Sequence, residues 1–205
     1  MPKDFGMKDI KDGLKFTAKH PVLLPLFLIT IADNLFIMGP ATVGTPIFVK
    51  TELGLGAGAY ASTEFCYAIG MMISTALMLA IGHKFRKGRM LLWGIVLDGV
   101  TFVPIYFVHS LWQLQLVFII HSAAIPLLMV PRAALIQEIV PNELTGRIFA
   151  LVQIAVVGMS ALSAAATGYA MQSWGSRWVF AVIGVGGVLC GAAGALFSKQ
   201  LKERL

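Results

Sequence analysis

The sequence predicts an all-α, polytopic membrane protein of six transmembrane helices, and three observations carry that expectation. Charged residues make up 13% of the chain and hydrophobic ones 58%, with a mean hydropathy of +0.82. A soluble domain of 205 residues would lack the polar surface it needs. Six apolar runs reach or approach the roughly 20 residues that cross a hydrocarbon core about 30 Å thick. The basic residues sit in short clusters between those runs, which is a topology signal and not the spread of charge that a nucleic-acid face requires.

In chain order the runs are 22–49, 60–81, 90–108, 111–139, 147–171 and 178–197. The first and fourth are over-long and carry prolines (Pro25 and Pro40; Pro126 and Pro131), so each is expected to kink or break. The chain divides into a lead-in at 1–20, a six-helix bundle at 21–197 and a basic tail at 198–205. Fourteen Lys and Arg side chains fall on one side of the membrane: five in the lead-in, Lys84, Arg86, Lys87 and Arg89, then Arg132 and Arg147, and three in the tail. Lys50 and Arg177 are the two on the other side, so both termini are expected in the cytoplasm. Within the lead-in, Met7, Ile10 and Leu14 share a helical face. That face suits either a short amphipathic helix at the membrane surface or a solvated segment orienting the first helix.

Several classes of protein fall away. Cys66 and Cys190 lie inside apolar runs, without metal-ligand spacing or a disulfide framework. Nothing resembles a zinc-binding HExxH, a nucleophile elbow or a phosphate-cradling glycine loop after a strand. No enzyme activity, metal or cofactor is expected, and no nucleic-acid partner.

Two loops narrow the field. The second and third runs are joined by Gly82-His-Lys-Phe-Arg-Lys-Gly-Arg89, and the fourth and fifth by a segment containing Pro141 and ending in Gly146-Arg147. Together they resemble the C-terminal half of a major facilitator superfamily transporter, nearest in flavour to drug and macrolide exporters. The first loop is one residue shorter between its glycines than the superfamily pattern and lacks its acidic residue. Residues Gly13 to Pro21 are similar to the end of the central loop before the seventh helix. The resemblance implies secondary active, proton-driven export of an amphipathic small molecule by antiport and alternating access. It also implies a multi-pass protein of a bacterial inner membrane. The first and fourth helices would line the cavity, the second and fifth flank it, and the third and sixth face lipid. Gly82, Arg86, Gly88, Arg89, Gly146 and Arg147 become gating-loop candidates, with ordinary positive-inside charge as the other reading of the basic ones. Such a transporter needs about twelve helices. The chain is therefore a fragment, one half paired with a separately encoded half, or a homodimer; alternatively it is a non-transporting accessory that binds a partner.

Ionisable groups inside a bilayer are costly and are functional candidates by default. Asp33 lies mid-run beside Asn34, on a helix expected to line the cavity, and is the expected proton-coupling or substrate-binding group; structural pairing with another helix is its alternative. Asn34 falls in a stripe with Thr30 and Thr45 and is a polar ligand candidate. His121 is a candidate proton relay, because imidazole titrates near neutral pH. Arg132 is close enough to the cytoplasmic end to snorkel. Asp98 is set aside, because the resemblance places its helix at the periphery. Gln153, Ser160 and Thr167 repeat every seven residues as a packing seam, and Gly187 and Gly191 form a GxxxG for packing or dimerisation.

Overall fold

The structure, a computed structural model, describes the backbone of residues 7–197 and the side chains of residues 10–196. The tail at 198–205 and the first six residues lie outside the described residues. A lead-in helix α1 (Met7–Lys19) precedes the first span, which consists of α2 (Leu23–Gly39), a π-helical turn (Pro40–Gly44) and α3 (Thr45–Thr51). The second span is α4 (Ala57–Ile81), closed by a 3-10 turn, and the third is α5 (Lys87–Phe102), continued by a 3-10 segment to Phe107. Then follow α6 (Leu111–Ile139), α7 (Asn142–Trp174) and α8 (Ser176–Phe197). Among the described residues six helical stretches are long and apolar enough to cross a membrane. An even number of crossings returns the chain to the side on which it starts. We call that side the basic end and the other the sparse end.

The prolines act differently in the two over-long runs. α6 runs through Pro126 and Pro131, both buried, without interruption. Each proline forfeits one N–H, whereas a true break in lipid would strand several backbone groups at a few kcal/mol each. At Pro40 the chain widens into the π turn, where the backbone N–H of Thr45 donates to Pro40 O. Gly39 keeps a partner by donating its N–H to Ser163 Oγ of α7, at 2.7 Å.

Packing reveals an internal repeat. α2 lies against α7 and α8, α6 lies against α4 and α5, and α5 packs on α8. Exchanging the first three spans for the last three in order reproduces every one of these pairs. Because three crossings invert direction, the two triplets are inverted repeats. The expected lipid-facing placement of the third and sixth spans holds only in part. α5 leaves Trp93, Leu97 and Val100 uncovered but buries its other side, including Asp98, against α6 and α8.

Glycines set the closeness of these pairs. A Cβ on Gly39 would fall 2.3 Å from Ser163 O, and one on Gly70 would fall 2.2 Å from Ile119 O of α6. A Cβ on Gly94 would meet Leu128 N at 2.9 Å, and one on Gly99 would meet Val188 N at 2.4 Å. Gly187 and Gly191, the expected GxxxG, pack on Gly99 and Val96 within the chain. The seam on α7 is also displaced. Ser163 and Thr167 are buried against Gly39, while Gln153 is exposed and Ser160 returns its hydroxyl to Val156 O.

α1 docks on the start of α7. Gly13 and Thr17 are buried, Gly13 abuts Leu151, and Arg147 meets Asp12 at 3.7 Å. Leu14, part of the expected apolar face, is exposed instead. At the sparse end Gly175, with φ 82°, makes the abrupt turn from α7 to α8. Beside it Arg177 donates to Glu52 Oε2 (2.8 Å) and to the carbonyls of Tyr106 (2.8 Å) and Val108 (2.7 Å), with Phe48 under its guanidinium. The Ser176 hydroxyl donates to Glu52 Oε1. One arginine thus ties together the outer ends of three spans.

Two predictions follow from these contacts. Gly70→Leu is expected to destabilise the protein by about 1–3 kcal/mol through overpacking. Gly158→Ala, which meets nothing within 4 Å, is expected to be neutral or mildly stabilising. Melting followed by size-exclusion in detergent separates the two. The second concerns acid. The Ser176 hydroxyl, and after it Arg177, holds the Glu52 carboxyl below its ordinary range against partial burial. Its stabilisation is therefore fully present above the unfolded carboxylate pKa and is lost as pH falls through the lower folded value. Glu52→Gln is expected to flatten the fall in melting temperature between about pH 5 and about pH 3. An unchanged acid slope in that variant refutes the role.

Candidate functional site

Polar side chains converge inside the bundle at mid-depth. Asp33, eleventh residue of α2, is 5% exposed, Asp98 of α5 is 1% exposed and His121 of α6 is 2% exposed. The exposed residues of α2 are Leu24, Leu28 and Phe36, whereas Asp33 and Asn34 are among its buried residues and so face the neighbouring helices.

The tightest contacts surround His121. Its Nδ1 is 2.9 Å from Thr101 Oγ1 and 3.3 Å from Asp98 Oδ1. The Thr101 hydroxyl is also within hydrogen-bond reach of backbone carbonyls of its own helix, with Leu97 O and Asp98 O both at 2.9 Å. Thr101 Oγ1 thus sits between a backbone carbonyl of its own helix and His121 Nδ1, and the direction of the Thr101–His121 hydrogen bond follows the tautomer of the imidazole. Phe102, with its ring centroid 4.3 Å away, together with Tyr67 and Phe118 near 6.1 Å, closes the imidazole in an aromatic cage. Thr101 and Asp98 are three residues apart and so share one face of α5.

Asp33 and Asp98 each carry a buried Oδ1 without a hydrogen-bond partner among the described residues. The field of Asp33 reaches Asp98 and also Arg132, half-buried on α6. Arg132 is seven residues from the end of α6, about 10 Å below the basic end. Asp33 attracts it from beyond ion-pair distance. Ordered by depth from the basic end, Arg132 comes first, then Asp33 and Asp98, then Thr101 and His121. Asn34 is buried beside Asp33, but its Nδ2 donates to Thr30 O at 2.8 Å, and Thr30 Oγ1 donates to Leu26 O at 2.8 Å. Much of the expected polar stripe is thus spent on its own helix; Thr45 Oγ1 likewise reaches Pro40 O, at 3.2 Å.

The loop candidates divide. Arg147 is engaged with Asp12, and Lys87 pairs with Glu138 at the end of α6. Arg86 caps the start of α5 in an extended conformation and is exposed, as is Arg89. Gly88 is buried, whereas a Cβ on Gly82 would meet only Met78 of its own helix, at 3.5 Å, and one on Gly146 would meet nothing. Neither Gly82 nor Gly146 is at a close approach to another helix.

Sequence reading set Asp98 aside and missed Thr101. The signal was present: a mid-run carboxylate with a hydroxyl three residues on. It was outweighed by placing the whole helix at the periphery. Among the described residues no group of three or more His, Cys, Asp and Glu side chains is placed to hold a metal ion.

Six inverted-repeat helices around a buried charged cluster define a polytopic membrane transporter domain. The family model of the Major Facilitator Superfamily matches residues 22–204, and the chain belongs to that family. It is a family of transporters and not of enzymes. No curated protein matches the chain.

A double-mutant cycle tests the central contact. Asp98→Asn and His121→Gln are expected to be non-additive by at least about 0.5 kcal/mol in thermal stability, as for residues in direct contact. Additive effects place the two side chains apart.

Proposed function

We propose that the chain supplies the C-terminal six-helix half of a drug- or macrolide-exporter-like antiporter of a bacterial inner membrane. It moves an amphipathic small molecule outward by alternating access, driven by protons. Both termini face the cytoplasm in this reading, because the basic end is then the inner one. The observation that carries the proposal is the run of ionisable groups from half-buried Arg132 through buried Asp33 and Asp98 to buried His121. Buried charges that costly have few structural uses in a bundle already packed by glycines. In this scheme Asp33 takes up and releases the coupling proton, Arg132 answers its charge on the cytoplasmic side, and His121 relays through Asp98. Asn34 supplies a polar wall beside Asp33.

A second half completes the pathway. α4 buries only Thr63, Gly70 and Ser74, leaving Phe65, Met72, Ile73 and Leu79 bare, and α7 leaves Ile154, Val157, Leu162 and Tyr169 bare. These broad apolar faces suit another six-helix half, whether a separate chain or a second copy. The accessory reading relied on the glycine face of α8, and α5 already covers that face.

Asp33→Asn is the direct test. With the chain in its native membrane, the variant is expected to abolish efflux of the amphipathic dye ethidium driven by a pH gradient. Membrane abundance and melting temperature should stay unchanged. Efflux with the same pH dependence as the parent protein removes Asp33 from coupling.

A further inference from the structure

At the basic end a groove of about 700 Å³ opens between α4 and α5 over the side of α6. Its deeper wall is apolar and includes Leu77, Met90 and Trp93, with Leu77 and Trp93 more than half exposed. Lys84, Arg86 and Arg89 line it as well, and no acidic residue does. The nearby acid on α6, Glu138, is paired with Lys87 outside the groove. Among the described residues the side chains of Lys84, Arg86 and Arg89 make neither a hydrogen bond nor an ion pair, so their charge is not neutralised by the protein.

We propose that this groove holds one anionic phospholipid of the adjoining leaflet, with its phosphate on Lys84, Arg86 and Arg89 and an acyl chain along Leu77, Met90 and Trp93. The groove has two chemistries in the order a lipid has them: cations at head-group level, then an apolar channel one or two turns deeper along α4 and α5. A free inorganic anion would leave that channel unused, and a zwitterionic lipid would leave the cations unanswered. Each Lys or Arg at a membrane surface favours an anionic lipid by about fivefold. The occupant matters to the fold because the groove is bounded by the loop that Lys87 and Glu138 anchor, so a bound lipid braces α4 against α5 where few protein contacts do.

Trp93 provides the readout, since the other tryptophans (Trp112, Trp174 and Trp178) lie near the sparse end. The full chain is placed in bilayers containing dibrominated phosphatidylglycerol or dibrominated phosphatidylcholine at equal mole fraction. Quenching of Trp93 is taken as the difference from a Trp93→Phe variant. Phosphatidylglycerol is expected to be preferred at least about fivefold. The preference should vanish in a Lys84→Gln, Arg86→Gln, Arg89→Gln variant and persist in a Lys11→Gln, Lys15→Gln, Lys19→Gln variant of equal charge loss. No preference in the parent protein, or equal loss in both variants, overturns the site. Relief of quenching by inorganic phosphate in the aqueous phase also overturns it, in favour of a free-anion site.

Discussion

The whole bundle depends on backbones approaching more closely than a Cβ allows. Within a bilayer, lipid tails are as apolar as leucine, so burying hydrocarbon does little to join helices. What remains is dispersion at short range, and that requires small residues at the crossing points. Gly39 serves α2 against α7, Gly70 serves α4 against α6, Gly94 serves α5 against α6, and Gly99 serves α5 against α8. The first two occupy corresponding pairs of the inverted repeat, and each has a serine nearby: Gly39 N–H donates to Ser163, and Ser74 Oγ donates to Ala123 O at 2.6 Å. The repeat is thus visible in side-chain chemistry as well as in the order of the helices.

Close packing also makes the buried charges tolerable. His121 is caged by aromatic rings and held by Thr101, so Asp98 faces a fixed dipole and not open hydrocarbon. Asp33 has no such neighbour at hydrogen-bond distance on its Oδ1, and the opposing charge of Arg132 acts from further off. The two carboxylates are therefore unequal: one is locked into a local cluster, and the other is balanced by a longer-range field.

The six spans were legible in the sequence because run length and charge clustering are one-dimensional properties. Run ends were less so. The fifth run was expected at 147–171, yet α7 begins at Asn142, because a polar first turn is helical once it projects beyond the hydrocarbon and receives α1. The Asp98–His121 contact was not legible, since it joins residues twenty-three apart through the α5–α6 crossing. Nor could spacing alone pick out Ser163. The seven-residue rhythm marks Gln153, Ser160 and Thr167, of which Thr167 lies on the buried face, together with Ser163 four residues before it. Glycines posed the same problem: only packing distinguishes Gly39 from Gly158.

The wide turn at Pro40–Gly44 holds one residue more than an α-helical turn of the same span. In effect the outer third of the first span carries a spare residue, absorbed where a proline has already weakened the hydrogen-bond ladder. Without that widening, with the same residues wound as regular α-helix, everything beyond Gly44 would rotate by about 100° and advance by about 1.5 Å. Phe48 would then leave the guanidinium it supports, and Thr45 would leave the core. A one-residue deletion within the turn would restore a regular helix and leave the sparse-end clamp in register, whereas an equal deletion within α3 would displace Glu52 from Arg177.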